Sequence, residues 1–386
     1  MTNRRLVVIG AGPVGLEAAL AAAARGYDVT VLERDTVGAN LRRWGSTRLF
    51  SPVRMNVSDQ ARRMLGAACP PEDALLTGPE MVERILEPLA RSAPLRGRVR
   101  TGHRVTAVGR ARLTRRDLPG HPLRGERPFR LLVEGPGGEE VLVAEYVLDA
   151  SGVYGQPAAL GAGGIPAPGE RGLNGRIIRD LGRLDERLRD LAGRDVLLVG
   201  HGHSAANALD AFASLAEPPK VTWATRSGQR RPCVEVASDP LPERERITAR
   251  ANAMAEAPPP FLQVARRTSV ESIAARDGRL TVALTGGEEG VFDSVVGLTG
   301  YRPDLSFLSE LALEIAPSSE GAARLTRALG HATDCLSAPA VAARDLQSGE
   351  PGFHLIGAKS YGRLPTFLLQ AGIGQAAAIV DALGAA

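Results

Sequence analysis

Cysteine and lysine are both scarce in this sequence. The three cysteines, Cys69, Cys233 and Cys335, lie far apart in the chain, and no C-x-x-C pair occurs. We therefore predict free thiols rather than a disulfide framework or a redox dithiol. Lys220 and Lys359 are the only lysines, so arginine carries almost all of the basic charge, and the net charge is only +4. This small excess, without a basic stripe interleaved by aromatic residues, argues against a nucleic-acid partner.

Long apolar runs are missing as well. No run approaches the ~20 residues that a membrane-spanning helix needs. The apolar run near the N-terminus is interrupted by a glycine-rich turn after Ile9, and no small-residue cleavage site of a signal peptide follows it. The sequence therefore predicts a cytoplasmic protein without a membrane partner. With 386 residues, of which 44% are hydrophobic and 23% charged, the chain can form two globular domains.

A glycine-rich turn follows the first predicted strand. Residues 6–9 favour a buried parallel strand, residues 10–15 read G-A-G-P-V-G, residues 16–25 favour an alanine-rich helix, and residues 28–33 form a second strand that ends in an acid. This order of strand, G-x-G-x-x-G, helix and strand is typical of a dinucleotide-binding unit.

Each position of this turn has a physical role. Gly10 makes the tight turn, Gly12 lets the backbone approach a pyrophosphate, and Gly15 lets the helix pack closely on the strand. The helix N-terminus offers free N–H groups to the phosphates, and Glu33 can accept hydrogen bonds from ribose hydroxyls. The predicted contacts of this unit are Gly10, Gly12, Pro13, Gly15, Glu33 and Arg34.

The same order of elements recurs in the middle of the chain. Residues 195–199 favour a buried strand, residues 200–205 read G-H-G-H-S-A, residues 206–212 favour a helix, and residues 220–225 form the next strand. Ser204 is expected to cap the helix, to contact a phosphate, or both. The predicted contacts of this turn are Gly200, Gly202, His203, Ser204 and Ala205.

The second unit differs from the first at the end of its second strand. That strand ends in Arg226, with Arg231 close behind, where the first unit has an acid. An acid at this place selects a free ribose 2′-hydroxyl, whereas arginine accommodates a 2′-phosphate. We therefore predict NADPH rather than NADH at this unit; the alternative is a solvated basic loop. His201 and His203 lie beside no other histidine or cysteine cluster, so no metal site is expected.

The two halves of the chain share one plan. Residues 129–144 favour an antiparallel hairpin that leads into a strand at residues 146–152, and residues 280–300 repeat this series. The repeat predicts an α/β fold with two Rossmann-like dinucleotide-binding domains. Each predicted domain has three layers in a ββα arrangement, and the second domain is inserted into the first. The predicted domains are residues 1–155 with 299–386, and residues 156–298.

The C-terminal segment is predicted to return to the first domain. Residues 352–357 favour a strand, residues 358–366 a polar loop, and residues 367–382 a helix. A final strand, loop and helix can place a helix N-terminus against a bound cofactor, where its dipole stabilises negative charge.

These motifs resemble those of the class B flavin monooxygenases and, more distantly, of thioredoxin-reductase-like flavoproteins of the pyridine nucleotide-disulfide oxidoreductase superfamily. The likeness spans most of the chain. It rests on the two turns at residues 10–15 and 200–205 and on L-T-G-Y-R-P at residues 298–303, which is similar to the A-T-G-Y motif of that group. The resemblance implies FAD at the first turn and NADPH at the second.

The resemblance also implies further contacts. Residues 51–58 occupy the place of an N-T-S stretch in which an asparagine lies near the reactive edge of the flavin, so Asn56 is the candidate catalytic residue. Asn56 could equally be a helix N-cap or a turn residue. The further cofactor contacts implied are Val105, Gly152, Gly300, Tyr301, Gly357 and Phe367. Residues that could contact the flavin or an anionic substrate, or else carry surface charge, are Arg54, Lys359, Tyr361 and Arg363.

The reaction that the resemblance implies is monooxygenation. NADPH would reduce the flavin, and a C4a-hydroperoxyflavin would oxidise a nitrogen or sulfur centre of a small molecule. The F-x-G-x-x-x-H motif of many such enzymes is absent, and residues 169–176 in its place contain no histidine. The alternatives are an NADPH-dependent reductase or dehydrogenase without oxygen transfer, and a ligand-sensing flavoprotein. A homodimer is left open.

Overall fold

Strands and short helices alternate along the whole chain. The computed structural model describes residues 4–330, 334, 336 and 341–384, so Cys335 lies outside the described residues. The strands are β1 (Arg5–Ile9), β2 (Asp28–Leu32), β3 (Val99–Arg100), β4 (Arg104–Arg110), β5 (Phe129–Gly135), β6 (Gly138–Ala144), β7 (Tyr146–Asp149), β8 (Ile177–Ile178), β9 (Asp195–Val199), β10 (Lys220–Thr225), β11 (Leu262–Arg266), β12 (Val270–Arg276), β13 (Arg279–Leu284), β14 (Glu289–Phe292), β15 (Ser294–Gly297) and β16 (Phe353–Leu355). The α-helices are α1 (Pro13–Ala24), α2 (Ala39–Arg42), α3 (Val53–Asn56), α4 (Asp59–Leu65), α5 (Gly78–Met81), α6 (Glu87–Ala90), α7 (Leu181–Arg187), α8 (His203–Ala213), α9 (Pro242–Glu256), α10 (Ala323–Leu329), α11 (Ala358–Tyr361) and α12 (Leu369–Gly384).

The first parallel sheet has the strand order β16-β7-β1-β2-β3. Its neighbouring strands are all parallel, and four of the five residues of β1 are buried, as expected for a strand covered on both faces. The carboxyl ends of the strands therefore meet at one edge of the sheet. The G-x-G-x-x-G turn leaves β1 at this edge.

Different layers cover the two faces of this sheet. On one face, the antiparallel sheet β4-β5-β6 packs through Phe129 and Leu131 against Val7 and Phe353. On the other face, α1 and α12 pack in the hydrophobic core that contains Val8. The three layers form the ββα arrangement predicted from the sequence.

The second unit repeats this arrangement. Its parallel sheet has the order β11-β10-β9-β15-β8, and its antiparallel sheet is β12-β13-β14. Leu209 of α8 and Ile247 of α9 pack on one face of the parallel sheet, and Ile273 of β12 packs on the other. The chain then returns, and β16 pairs with β7 of the first sheet. The predicted fold class, with the second domain inserted into the first, is confirmed; the predicted domain boundaries stay a prediction.

Helix ends differ from the sequence prediction at several places. Helix α1 begins at Pro13 rather than at Leu16, because the fixed φ and missing N–H of proline suit the first helical turn. Helix α8 begins at His203 rather than at Ala206. The predicted polar loop at residues 358–366 contains the one-turn helix α11, and α12 begins at Leu369. Within the described residues, no helix combines the length and apolar character needed to cross a lipid bilayer.

A triad of charged side chains is buried where the first antiparallel sheet meets the segment before β16. Glu350 Oε1 accepts a hydrogen bond from Nε of Arg110 at 2.8 Å, and Oε2 accepts one from Nη2 of Arg124 at 2.9 Å. All three side chains are fully buried, and the N–H of Ala312 donates to the same carboxylate. Burial alone would raise the pKa of Glu350, but these hydrogen bonds outweigh it and hold the pKa below its ordinary value.

We expect Glu350→Gln to lower the free energy of unfolding by about 3–5 kcal/mol, because two buried guanidinium groups would be left without a carboxylate. Glu140→Gln removes a carboxylate from an exposed pair with Arg100 and should cost less than about 1 kcal/mol, which makes it the matched control. Equilibrium unfolding in urea measures both changes. An equal decrease in the free energy of unfolding for the two variants would contradict a structural role for the buried triad.

Candidate functional site

Backbone contacts that only glycine permits shape the first turn. Gly10 has a φ of 102°, and a β-carbon there would lie 2.8 Å from the carbonyl oxygen of Ala150. A β-carbon on Gly15 would overlap the carbonyl oxygen of Gly10. A β-carbon on Gly12, in contrast, would meet no protein atom within 4 Å. Gly10 and Gly15 therefore serve the fold, whereas Gly12 leaves free space beside the N-terminus of α1.

Glu33 follows β2 and lies beside this turn. Its Oε2 accepts a hydrogen bond from the N–H of Ala11 at 2.8 Å, and its Oε1 accepts one from the N–H of Asp35 at 2.9 Å. Each carboxylate oxygen can accept a further donor. The carboxylate is thus fixed in position and keeps the capacity to accept hydrogen bonds from hydroxyl groups of a ligand.

The second turn repeats the geometry of the first. Gly200 has a φ of 121°, and a β-carbon there would overlap the carbonyl oxygen of Leu298. A β-carbon on Gly202 would meet no protein atom within 4 Å. Nε1 of Trp223, a buried residue of β10, donates a hydrogen bond to the carbonyl oxygen of Gly200 at 2.6 Å and so holds the turn in place. The N-terminus of α8 therefore faces free space, as that of α1 does.

Backbone hydrogen bonds align the two units residue by residue. In each unit the first glycine of the turn donates its N–H to the second strand, to Leu32 in the first unit and to Ala224 in the second. The next residues are Glu33 and Thr225, so the place of the acid is taken by Thr225 and not, as the sequence predicted, by Arg226. Arg226 follows immediately. The second unit therefore lacks a carboxylate at the place that Glu33 occupies in the first.

Arg226 and Arg231 differ in their partners. Arg226 is exposed, and no residue of the described chain forms an ion pair or hydrogen bond with its side chain. Arg231 pairs with both Glu235 and Glu256. A guanidinium that already has two carboxylates is neutralised, so Arg226 is the one of this pair that can meet a phosphate.

One cavity of about 560 Å³ reaches both turns. Its volume lies within the range of about 300–1,000 Å³ that is usual for small-molecule sites. It brings together residues from the first domain, the second domain and the C-terminal segment. The sequence-predicted contacts that line it are Gly10, Gly12, Pro13, Glu33, Gly152, His203, Ser204, Tyr301, Gly357 and Phe367.

Other sequence-predicted cofactor contacts lie outside the cavity wall. Val105 is buried in the core between the two sheets of the first domain, and Ala205 of α8 is buried in the core of the second. Arg34 lies at the surface with its Nε 3.4 Å from Asp35. The predicted contacts that the cavity does not include are Gly15, Arg34, Val105, Gly200, Gly202, Ala205, Arg226, Arg231 and Gly300.

The cavity has an aromatic wall, of which the sequence predicted only Tyr301. The ring of Tyr154 lies 5.8 Å from that of Trp44 and 4.7 Å from that of Tyr301, whose hydroxyl donates to the carbonyl oxygen of Arg179 at 3.0 Å. Burial raises the pKa of both tyrosines, that of Tyr301 to about 12. Only Tyr301 lies in a recognisable motif. The three rings come from distant segments, so no spacing in the sequence could have connected them.

Two polar atoms of cavity-lining residues are buried without a partner. Oδ1 of Asn40 and Nε of Arg179 form no hydrogen bond within the described part of the protein. A buried polar atom without a hydrogen-bond partner lowers the stability of the fold by about 1–3 kcal/mol, unless a ligand or water supplies the partner. Together with the free space at Gly12, which lines the same cavity, these unpaired atoms fit a nucleotide-binding site.

Asn56 lies at the end of α3 and does not line the cavity. It is buried, its Nδ2 donates to the carbonyl oxygen of Ser51 at 2.7 Å, and its Oδ1 accepts from the Ser51 hydroxyl at 2.7 Å. Ser51 itself lines the cavity. These hydrogen bonds are those of a turn residue, the second of the two roles that the sequence left open, and they shape the cavity wall through Ser51.

The structure places Lys359 in the protein interior rather than at a ligand. Its Nζ lies 2.6 Å from Oδ2 of Asp149, donates to the Ser151 hydroxyl at 2.9 Å, and lies 4.3 Å from the centre of the Phe307 ring. The side chains of the ion pair are fully buried. An ammonium group that is committed to an internal carboxylate is not available to a substrate. It instead joins α11 to the segment after β7 that lines the cavity.

The other predicted substrate contacts also lie outside the cavity wall. Arg54 pairs with Asp73, and the Arg54 side chain is 49% exposed. Tyr361 is buried in the core of the first domain, with its ring 5.3 Å from that of Phe367. Arg363 is exposed, with Nη1 3.9 Å from a carboxylate oxygen of Glu320. The structure does not bring these residues together with one another or with the turns.

The described cysteines lie apart from the cavity. Cys69 and Cys233 are free thiols, as predicted, and they belong to different hydrophobic cores. Burial raises the pKa of both thiols, that of Cys233 to about 12. They are therefore not poised to form thiolates at neutral pH. In the part of the chain that the structure describes, no group of three or more histidine, cysteine or acidic side chains could hold a metal ion.

Solved structures with the same fold include both reductases and monooxygenases. The bacillithiol disulfide reductase Bdr from Bacillus cereus is 19% identical with a TM-score of 0.69, and 99% of each chain is covered. The flavin monooxygenase from Stenotrophomonas maltophilia, in a mutant form, is 20% identical with a TM-score of 0.63, covering 100% of this chain and 99% of that one. The ornithine N-hydroxylase of Kutzneria sp. 744, in a structure with reduced FAD, NADP⁺ and L-ornithine, is 15% identical with a TM-score of 0.63, and 98% of each chain is covered.

The family of the chain follows from a match of its sequence to a family model. Residues 4–323 match the model of the pyridine nucleotide-disulphide oxidoreductases, while no curated protein matches the chain. The resemblance predicted from the sequence is confirmed, and the predicted cofactors, FAD and NADPH, are consistent with the match. Because the match covers most of its length, the chain belongs to the pyridine nucleotide-disulphide oxidoreductase family.

Proposed function

We propose that this protein is an FAD-containing oxidoreductase that uses NADPH and acts on a small molecule. The observation that carries the proposal is the single cavity that reaches both glycine-rich turns. Two nucleotide cofactors bound at these turns would share one enclosed space. A hydride can pass between cofactors only when their reactive rings meet, and a shared cavity allows that.

Different residues of the two domains would bind FAD and NADPH. The space beside Gly12, the N-terminus of α1 and the carboxylate of Glu33 would hold the pyrophosphate and a ribose of FAD. The space beside Gly202 and the N-terminus of α8 would hold the pyrophosphate of NADPH, with Arg226 at the 2′-phosphate. When bound, FAD supplies the redox chemistry, and the chain supplies orientation and exclusion of water.

We propose monooxygenation of a nitrogen or sulfur centre as the reaction. The aromatic wall formed by Trp44, Tyr154 and Tyr301 supports this proposal, because oxygen transfer requires a site from which water is excluded. Neither Cys69 nor Cys233 lines the cavity, so no described thiol is placed to pass electrons to a disulfide substrate.

The second candidate is an NADPH-dependent reductase that transfers no oxygen. The segment at residues 169–176 favours it, because the histidine-containing motif of many monooxygenases is absent there. In its place the chain forms a 3₁₀ turn at Arg171–Arg176.

Two matched glycine variants test the assignment of the turns. We expect Gly12→Val to fold and to lose FAD, because a β-carbon there meets no protein atom within 4 Å and the side chain would occupy the pyrophosphate space. Gly202→Val should keep FAD but lose reduction by NADPH, while dithionite still reduces it. Flavin absorbance after purification and after each reductant gives the result. A yellow Gly12→Val protein would contradict the first assignment.

Arginine variants test the preference for NADPH. We expect Arg226→Ala to raise the KM for NADPH by about tenfold and to leave the KM for NADH nearly unchanged, because it removes one charge-assisted contact to the 2′-phosphate. Arg231→Ala is the control and should change either KM by less than about twofold, since its guanidinium is already neutralised by Glu235 and Glu256. A larger effect of Arg231→Ala than of Arg226→Ala would reverse the assignment.

Stopped-flow spectroscopy separates the two candidate reactions. The FAD-loaded protein is reduced anaerobically with NADPH and then mixed with oxygen. We expect a transient absorbance that differs from those of the oxidised and the reduced protein, because a monooxygenase holds activated oxygen until a substrate arrives. Direct return to the oxidised spectrum would favour the reductase. A flavin that NADPH does not bleach would refute both.

A further inference from the structure

His203 lies where the two domains meet at the cavity. It is the first residue of α8, and it lines the cavity, as Phe50 of the first domain does. The ring of Phe50, from the first domain, packs against the imidazole with a centroid distance of 5.4 Å and an interplanar angle of 76°. No residue of the described chain hydrogen-bonds to either ring nitrogen, so both are available to a molecule in the cavity.

Of the side chains that line the cavity, His203 is the one suited to exchange a proton near neutral pH. The carboxylates are engaged with backbone N–H groups: Glu33 with Ala11 and Asp35, and Asp180 with Arg183 at the start of α7. Burial raises the pKa of the two lining tyrosines. The lining arginines stay charged, and neither lysine nor cysteine is among the residues of the cavity wall.

The charges around His203 favour release of a proton. Burial lowers the pKa of the imidazole, and the guanidinium of Arg244 on α9 lowers it further. Asp239 and Asp334 act in the opposite direction, but both also pair with Arg244. The cavity wall also carries Arg43 and Arg48 from the first domain and Arg179, Asp180 and Arg183 from the second. An imidazolium in this setting is a stronger acid than one in water.

Monooxygenation and NADPH-dependent reduction both consume a proton from solvent. Reduction of an acceptor X follows NADPH + H⁺ + X → NADP⁺ + XH₂, and monooxygenation of a substrate S follows NADPH + H⁺ + O₂ + S → NADP⁺ + H₂O + SO. In each, NADPH supplies two electrons and one proton as a hydride. The second proton must reach an acceptor inside a cavity whose walls are largely aromatic and apolar.

We propose that His203 delivers this second proton to the acceptor in the cavity. An N–H bond of the imidazolium breaks, the proton forms a bond to the acceptor, and water reprotonates the neutral imidazole. The inference rests on the proposed function but holds for either of its two reactions. It assigns to His203 a chemical role as proton donor in addition to its place in the second turn.

Two acceptors with different proton requirements test this role. The holoenzyme is reduced with dithionite and mixed with 1,4-benzoquinone, whose two-electron reduction takes up two protons, or with ferricyanide, which takes up none. Reoxidation of the flavin is followed from about pH 5 to about pH 8. His203→Gln is compared with the wild type and with His201→Gln, since His201 lies in the same turn but does not line the cavity.

For the wild type we expect the benzoquinone rate to fall as the pH rises through the pKa of His203, because the imidazolium is the donor. The midpoint should lie below about 6.5, the ordinary value for histidine. His203→Gln should lower the benzoquinone rate at the acid end of this range by at least about tenfold and abolish its pH dependence. The ferricyanide rate should change by less than about twofold, and His201→Gln should behave as the wild type. Proton NMR titration of the holoprotein should show a histidine resonance that is missing in His203→Gln and titrates with the kinetic midpoint.

Either of two results would overturn the proposal. One is an equal loss of reoxidation rate with both acceptors in His203→Gln, and the other is a pH dependence of the benzoquinone rate that survives in that variant. Because dithionite replaces NADPH in this experiment, a wild type that NADPH cannot reduce would refute the proposed function without deciding the role of His203.

Discussion

The backbone contact between Gly15 and Gly10 is the constraint on which the cavity depends. A β-carbon on Gly15 would overlap the carbonyl oxygen of Gly10, so α1 can lie this close to its own turn only with glycine at that position. The contact directs the N-terminus of α1, with its free N–H groups, toward the space beside Gly12. The C-terminal helix α12 packs on the same helix, and Gly372 allows that approach because a side chain there would press on Val14.

Buried charges join parts of the first domain that are distant in sequence. The ion pair of Lys359 and Asp149 connects the returning C-terminal segment to the end of β7, where the cavity wall begins. Glu350 connects the same returning segment to the antiparallel sheet through Arg110 and Arg124. Such pairs add little net stability compared with apolar residues, but breaking one leaves an uncompensated charge. They therefore fix the returning segment in one position, and with it one wall of the cavity.

The two units share a plan but differ at the residues that would meet a ligand. Thr225 replaces the acid of the first unit, and His203 follows the second glycine of the turn where the first unit has Pro13. The backbone geometry of both turns is nearly the same, with positive φ at the first glycine and free space at the second. The chemical difference between the units is therefore carried by side chains on a shared backbone. At the cavity, the His203 side chain meets Phe50 of the other domain.

The sequence by itself determined both turns, the layers of each domain and the insertion of one domain into the other. The turns and strands can be recognised from glycine spacing and apolar periodicity within short windows of the chain, and the insertion follows from the repeat of the same series of elements. It also identified ten residues of the cavity wall, most of them in or beside the turns. Only the tertiary structure decided that Lys359 points to Asp149, that Asn56 bonds to Ser51, and that Arg231 is neutralised. The aromatic wall of Trp44, Tyr154 and Tyr301 likewise comes from three distant segments. The direction of a side chain depends on which residues pack around it, and that is fixed by contacts between segments that no local pattern records.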